Sequence, residues 1–131
     1  MEKRITATTT LLGLLGSPVA HSTSPAMMNL AASLLGLDYA YLAFDVKEDK
    51  VPDALNAMKT LGIRGFNVTM PDKIAAAKNV DKLSPASEII GACNTVVNDD
   101  GVLTGYITDG EGYVNMLKDN GIDIKGKKIV V

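Results

Sequence analysis

Lys73 stands in the first turn of a helix that Pro71 opens, where a cation opposes the helix dipole and costs stability. A lysine kept at such a place needs a reason, and the positive helix end favours the neutral amine that acid/base chemistry uses. Just before it, Asn67 and Thr69 alternate with Val68 on a strand, so both point to one face and can hydrogen-bond the same ligand. The plain alternative is a surface lysine with its stem laid over the helix.

Two further loops place polar side chains between a strand and a helix, where open α/β sheets bind ligands. In the first, Gly16 to Pro25, Ser22 and Ser24 stand two apart before a helix whose free N–H groups and positive end attract an anion such as a carboxylate. Read without function, these are a helix cap and a solvated serine. The other loop has two parts, Gly91 to Thr95 entering one strand and Thr108 to Gly112 leaving the next. It contributes Asn94 and Asp109, the latter by default an N-cap. Cys93 reads as core, since an apolar strand position gives no cue for a reactive thiolate. His21 is the one histidine, and nothing orients a Ser-His-Asp or Cys-His arrangement around it.

The elements that must carry these loops follow from pattern. Leu11 to Leu15 is a short apolar run ended by Gly16, Ser17 and Pro18, as in a buried strand. Ser24 and Pro25 open a helix in which Met27, Leu30, Ala31 and Leu34 recur at helical spacing until Gly36. Tyr39 to Val46 suits a second strand, and Val51, Ala54, Leu55 and Met58 put a stripe on a second helix that stops near Gly62. Gly65 to Thr69 is the third strand, and a short helix from Pro71 runs through Ile74 and Ala77. Ala92 to Asn98 and Val102 to Thr108 flank the turn sequence Asp99-Asp100-Gly101 as an antiparallel pair. Asp109 then caps a helix expected to turn Tyr113, Met116 and Leu117 inward, ending at Gly121. Strand–helix alternation with one hairpin predicts an α/β fold, a three-layer α/β/α sandwich on a mostly parallel mixed sheet.

Composition bounds the rest. The 131 residues suit one domain, and 47% apolar with 21% charged residues is the balance of an ordinary soluble globular protein. A net charge of -2 provides no broad positive field for nucleic acid, and no run approaches the roughly 20 apolar residues that span a bilayer. One cysteine and one histidine give no metal cluster and no internal disulfide, which fits a reducing cytoplasm. Lys3 and Arg4 before Leu11 to Leu15 resemble the start of a signal peptide. Gly13 and the threonines Thr6, Thr8, Thr9 and Thr10 break the apolar run, so a strand is expected there instead. Lys127 to Val131 reads as the beginning of another parallel strand, cut within a longer polypeptide. Residues 1–121 are therefore expected to form the domain, and 122–131 a linker with the first strand of a dinucleotide-binding domain.

Taken together, the loops resemble the shikimate dehydrogenase family, from about Leu11 to the last residue. Its first-loop pattern stands here as Gly16, Pro18, His21-Ser22-Thr23-Ser24-Pro25 and Asn29; its Asn-Val-Thr-x-Pro-x-Lys runs unbroken from Asn67 to Lys73. Gly91 to Thr95 matches Gly-Ala-x-Asn-Thr, and Thr108 to Gly112 matches Thr-Asp-Gly-x-Gly. The resemblance implies that Ser22 and Ser24 bind a substrate carboxylate and that Asn67, Thr69, Asn94 and Asp109 bind ring hydroxyls. It makes Lys73 the catalytic lysine and Asp109 its carboxylate partner. The implied reaction is reversible NADP(H)-dependent reduction of 3-dehydroshikimate to shikimate, on the route to chorismate and the aromatic amino acids, with quinate as an alternative substrate. Ile107 departs from the pattern, standing where the family usually has Asn. NADP or NAD is implied by the family, yet no Gly-x-Gly-x-x-Gly occurs in the chain, so the chain alone is expected to bind substrate without turning it over. A module that binds shikimate without redox chemistry is the competing reading, and the retained Lys73 and Asp109 argue against it. Oligomeric state and the choice between NADP and NAD are open at this level.

Overall fold

A computed structural model describes residues 5–130. The chain begins with β1 (Thr10–Gly16), α1 (Ser24–Leu34) and β2 (Tyr39–Asp45), then a 3-10 turn (Glu48–Lys50) leading into α2 (Val51–Leu61). β3 (Gly65–Val68), α3 (Lys73–Asn79), β4 (Lys82–Leu83) and α4 (Pro85–Ile90) follow, and then β5 (Thr95–Asp99), β6 (Val102–Tyr106) and α5 (Asp109–Asp119). The strands form one sheet in the order β2-β1-β3-β5-β6-β4. β1 is parallel to β2 and β3, β4 is parallel to β6, and β5 alone runs antiparallel to both its neighbours. The expected mixed, mostly parallel sheet is present.

Because side chains alternate along a strand, β1 feeds two cores. Leu15 joins Val51, Leu55 and Met58 of α2, Ala76 of α3, and the inward residues Phe66, Val96 and Leu103 of the central strands. Leu14 points to the other face and packs with Val19, Tyr41 and the half-buried Met28 of α1. Helices therefore lie on both faces, α2 and α3 on one and α1 on the other, which makes the three layers. The stripe expected on α2 is buried as anticipated, with Val51 and Met58 fully covered.

The stripe expected on α1 is not the one that packs. Met27, Leu30 and Leu34 are exposed, while Ala32 is buried. The rotation of the helix is set by Asn29. Its Nδ2 donates to the carbonyls of Pro25 and Tyr41 (2.8 Å each), and its Oδ1 accepts from the Tyr41 N–H at 2.9 Å. With Asn29 turned toward β2, Ala32 one turn on faces the sheet and the larger apolar residues face away. Tyr113 and Met116 on α5 are likewise exposed and not inward, and only Leu117 of the expected three is half-buried. An apolar stripe says what a helix face favours, and here α5 buries no residue.

Two elements have no counterpart in the sequence reading. β4 is a two-residue strand, too short to show a period, and α4 is a six-residue helix whose signals were nonetheless there. Ser84 caps it by accepting from the Ser87 N–H at 3.3 Å, and Pro85 follows at its first turn. The Asp99-Asp100-Gly101 turn closes the β5–β6 hairpin with positive φ at Asp100 and Gly101, and Asn98 Oδ1 accepts the Gly101 N–H at 2.8 Å. The strand expected at Lys127 to Val131 pairs with nothing over residues 127–130, and Val131 lies outside the described residues. A strand exists only through a partner's ladder. Lys3 and Arg4 also lie outside the described residues. The Leu11 to Leu15 run that follows them is a central strand between β2 and β3.

Candidate active site

The topology gathers the candidate loops at one edge of the sheet. β1, β3 and β6 end there, and antiparallel β5 begins there. The loops after β1, β3 and β6 and the entry to β5 thus come from four adjacent strands. α1, α3 and α5 all start at this edge, so three helix N-termini face it.

The first two loops are stitched together. The Thr69 N–H donates to the Leu15 carbonyl at 2.8 Å and the Ser17 N–H to the Met70 carbonyl at 3.3 Å. Gly16 makes this approach possible: a Cβ there would lie 2.3 Å from Thr69 Cγ2 and 3.2 Å from the Met70 carbonyl oxygen. Between the loops is an open cleft of about 640 Å³, lined by Ser17, His21, Ser22 and Ser24 from one side and Thr69 and Met70 from the other. Ser24 is the first residue of α1 instead of its cap, which is Thr23, and the Ser22 Oγ accepts the Ser24 N–H at 3.2 Å. The first turn of α1 holds no acidic side chain, so its free N–H groups meet no competing carboxylate.

Further along the edge, Lys73 Nζ donates to Asp109 Oδ2 at 2.5 Å. Lys73 is in the first turn of α3 as expected, but the helix starts at Lys73 itself, two residues after Pro71; Asp109 is the first residue of α5 and not its cap, which is Thr108, and a carboxylate there suits the dipole. Asn94 holds the pair from the side: its Nδ2 donates to Asp109 Oδ1 at 2.8 Å and its Oδ1 accepts the Thr108 N–H at 3.1 Å. The Cys93 N–H donates to the Lys73 carbonyl at 3.0 Å, so one staple sets the places of Asn94 and Lys73 together. Cys93 itself is fully buried, and burial pushes its thiol up to about 11, as fits the inert core residue expected.

Asn67 is half-buried on the other side of β5. It accepts from the Tyr41 hydroxyl at 2.9 Å and donates to Thr95 Oγ1 at 3.2 Å, and Thr95 Oγ1 lies 3.3 Å from Asn94 Oδ1. The candidate residues thus fall into two groups on one edge. Ser22, Ser24 and Thr69 surround the cleft; Asn67, Asn94, Lys73 and Asp109 are joined by hydrogen bonds through Thr95.

Tyr41, Thr95 and Asp72 belong to this region and had no role in the sequence reading. Tyr41 is 3% exposed, and burial pushes its hydroxyl up to about 12, keeping it a donor. Asp72, directly before Lys73, is fully buried and neither carboxylate oxygen has a hydrogen-bond partner among the described residues. Burial first, then the nearby charges of Glu48 and Asp45, raise its carboxyl above the usual range. An adjacent Asp-Lys pair hints at nothing of the kind, because burial of a loop carboxylate leaves no periodic trace.

The turn after β1, where a Gly-rich phosphate loop would lie, has its one close glycine already filled by Thr69, Val19 and Met70. The chemistry this edge offers is anion binding, hydroxyl recognition and proton exchange.

The chain is 54% identical over its whole length to the NADP(+)-dependent shikimate dehydrogenase of Listeria monocytogenes, and 47% identical over 97% of its length to a quinate/shikimate dehydrogenase of Escherichia coli. It spans less than half of these curated relatives, 45% and 44% of their lengths. The crystal structure of shikimate 5-dehydrogenase from Listeria monocytogenes in complex with shikimate and NAD superposes with a TM-score of 0.90 at 53% identity, covering 95% of this chain and 43% of that one. The family described as the shikimate dehydrogenase substrate binding domain matches residues 14–96, more than half of the chain, and the chain belongs to that family.

Proposed function

We propose that this chain is the substrate-binding part of a shikimate dehydrogenase, acting in the reversible NADP(H)-dependent interconversion of 3-dehydroshikimate and shikimate. The observation that carries the reading is the Lys73–Asp109 pair, held by Asn94 at the same sheet edge as the cleft between the first two loops. An ion pair placed there against the α3 dipole serves no packing purpose, since both side chains are partly exposed.

In this reading Ser22 and Ser24 hold the carboxylate at the start of α1, and Asn67, Thr69, Asn94 and Asp109 take the ring hydroxyls. Lys73 exchanges the proton at the oxygen of the reacting carbon, with Asp109 keeping the amine in place. The hydride belongs to the nicotinamide, whose site is assigned to the part of the relatives this chain does not span. Residues 1–121 would be the substrate domain and 122–131 the passage into the cofactor domain. A cytoplasmic setting belongs to the same proposal. It draws on one unpaired, buried cysteine. Quinate is a second candidate substrate, favoured by the 47% identity to the quinate/shikimate dehydrogenase.

Titration calorimetry of shikimate and of quinate into the chain tests this. Saturable one-site binding of shikimate is expected, weakened by Lys73→Ala. No heat from either acid at millimolar concentration overturns the reading.

A further inference from the structure

Six side chains form an unbroken line of hydrogen bonds across the sheet, from Tyr41 on β2 through Asn67, Thr95 and Asn94 to Asp109 and Lys73. The direction of every proton in the line follows from its far end. The Thr108 backbone N–H can only donate, and it meets Asn94 Oδ1; an ionised Asp109 can only accept, and it meets Asn94 Nδ2. Asn94 therefore has one orientation. Its Oδ1 is the acceptor beside Thr95, so the Thr95 hydroxyl spends its proton there and offers only a lone pair to Asn67. Asn67 must then present Nδ2 to Thr95 and Oδ1 to Tyr41, and the Tyr41 hydroxyl must donate.

We infer that Tyr41 is a positioning residue: with Thr95 setting which way the Asn67 amide faces, the buried Tyr41 hydroxyl donates to its Oδ1 and holds the amide in the place that leaves one N–H free to donate to a ligand oxygen. With Nδ2 carrying two protons and Thr95 taking one, a single N–H remains; the flipped amide would put a carbonyl oxygen in its place. Tyr41 is fit for this because it has nowhere else to go. It is buried between α1 and the sheet, its backbone is clamped on both sides by Asn29, and Asn67 is its hydroxyl's partner. A buried hydroxyl without a partner is costly, so Tyr41 holds Asn67 as firmly as Asn67 holds Tyr41.

This inference rests on the proposed function for the identity of the ligand, and its test separates the two. Shikimate affinity is measured by calorimetry for wild type, Tyr41→Phe, Asn67→Ala and the double variant, with thermal melts to confirm folding. Tyr41→Phe should weaken binding about 5-fold, the size of one lost neutral hydrogen bond, and should have no further effect in the Asn67→Ala background. Independently of any ligand, the Asn67 side-chain amide resonances should move in Tyr41→Phe, and also in Thr95→Val, which keeps the shape and removes the hydroxyl. Thr95→Val carries the test if Tyr41→Phe does not fold. Additive effects of Tyr41→Phe and Asn67→Ala, or unmoved Asn67 amide resonances, overturn the inference. If wild type does not bind shikimate, the proposed function fails, and the resonances still decide whether Tyr41 sets the amide.

Discussion

Lys73 and Asp109, 36 residues apart in sequence, meet at 2.5 Å because each is the first residue of its helix and both helices start at the same sheet edge. In an enzyme that includes the cofactor-binding part, Lys73→Ala should lower turnover by about 10²–10⁴-fold, the usual contribution of acid/base catalysis, with a much smaller change in KM. Asp109→Asn should also slow turnover, and the two losses should not add, since the pair acts as one unit. A double-mutant cycle at saturating substrate and cofactor reads this. Near wild-type turnover in Lys73→Ala would make the lysine a binding residue.

The chain by itself should be folded and catalytically silent. The chain contains no Gly-x-Gly-x-x-Gly pattern and spans less than half of its dehydrogenase relatives, so absorbance of the reduced cofactor should stay flat with shikimate and either NADP or NAD. Reproducible turnover by the purified 131-residue chain contradicts this.

Carboxylate binding should reside in the first loop. Replacing both Ser22 and Ser24 with Ala should cost shikimate affinity at about 1.5–3 kcal/mol per charge-assisted hydrogen bond lost, with a smaller loss in melting from the bond that Ser22 Oγ accepts from the Ser24 N–H. Unchanged affinity in the double variant places the carboxylate elsewhere.

Asp72 predicts an unusual stability profile. Its folded-state pKa is raised, so the folded protein takes up its proton more readily than the unfolded chain. The stability this contributes is fully present below the ordinary carboxylate range and is lost as pH rises through the raised value. Asp72→Asn should therefore melt higher than wild type at neutral pH, with the gap closing on acidification. Asp81 acts in the opposite sense. Its hydrogen bond from Lys59, then that from the Leu103 N–H, holds its carboxyl low, so its contribution is present at neutral pH and lost as pH falls. Denaturant melts of wild type, Asp72→Asn and Asp81→Asn across that range separate the two; a pH-independent gap for Asp72→Asn rules out an ionisable origin.

Gly16→Ala should disturb stability and binding together. The added methyl would meet Thr69, and relieving it means parting the two loops that form the cleft. A loss of about 1–3 kcal/mol from overpacking is expected in melts, together with weaker shikimate binding. Wild-type affinity in a destabilised variant would show that the loops are not rigidly coupled.

Much of the fold was legible because its strands are short apolar runs bounded by Gly and Pro, and because α2 carries a stripe that is in fact buried. The loops at the sheet edge were legible for a different reason: Ser22, Asn67, Lys73 and Asp109 are polar residues at strand–helix junctions, where polarity has no packing explanation. What stayed hidden depended on partners far away in sequence. Nothing local tells Met27 that Asn29 will turn α1 toward β2, or Asp72 that it will be sealed in. Tyr41 looked like an ordinary aromatic strand residue because its hydroxyl partner lies 26 positions on, two strands across the sheet.

The clamp of Asn29 on Tyr41 has a consequence for how these molecules meet one another. β2 is an outermost strand, and such a strand usually offers its outward peptide groups as a template for a foreign one. At Tyr41 both the N–H and the carbonyl are already occupied by a side-chain amide, which copies the pattern a neighbouring peptide would present. An incoming chain would find the ladder broken partway along and would have to displace α1 to continue. One asparagine thus sets the turn of a helix and also interrupts self-templated growth from that side of the sheet.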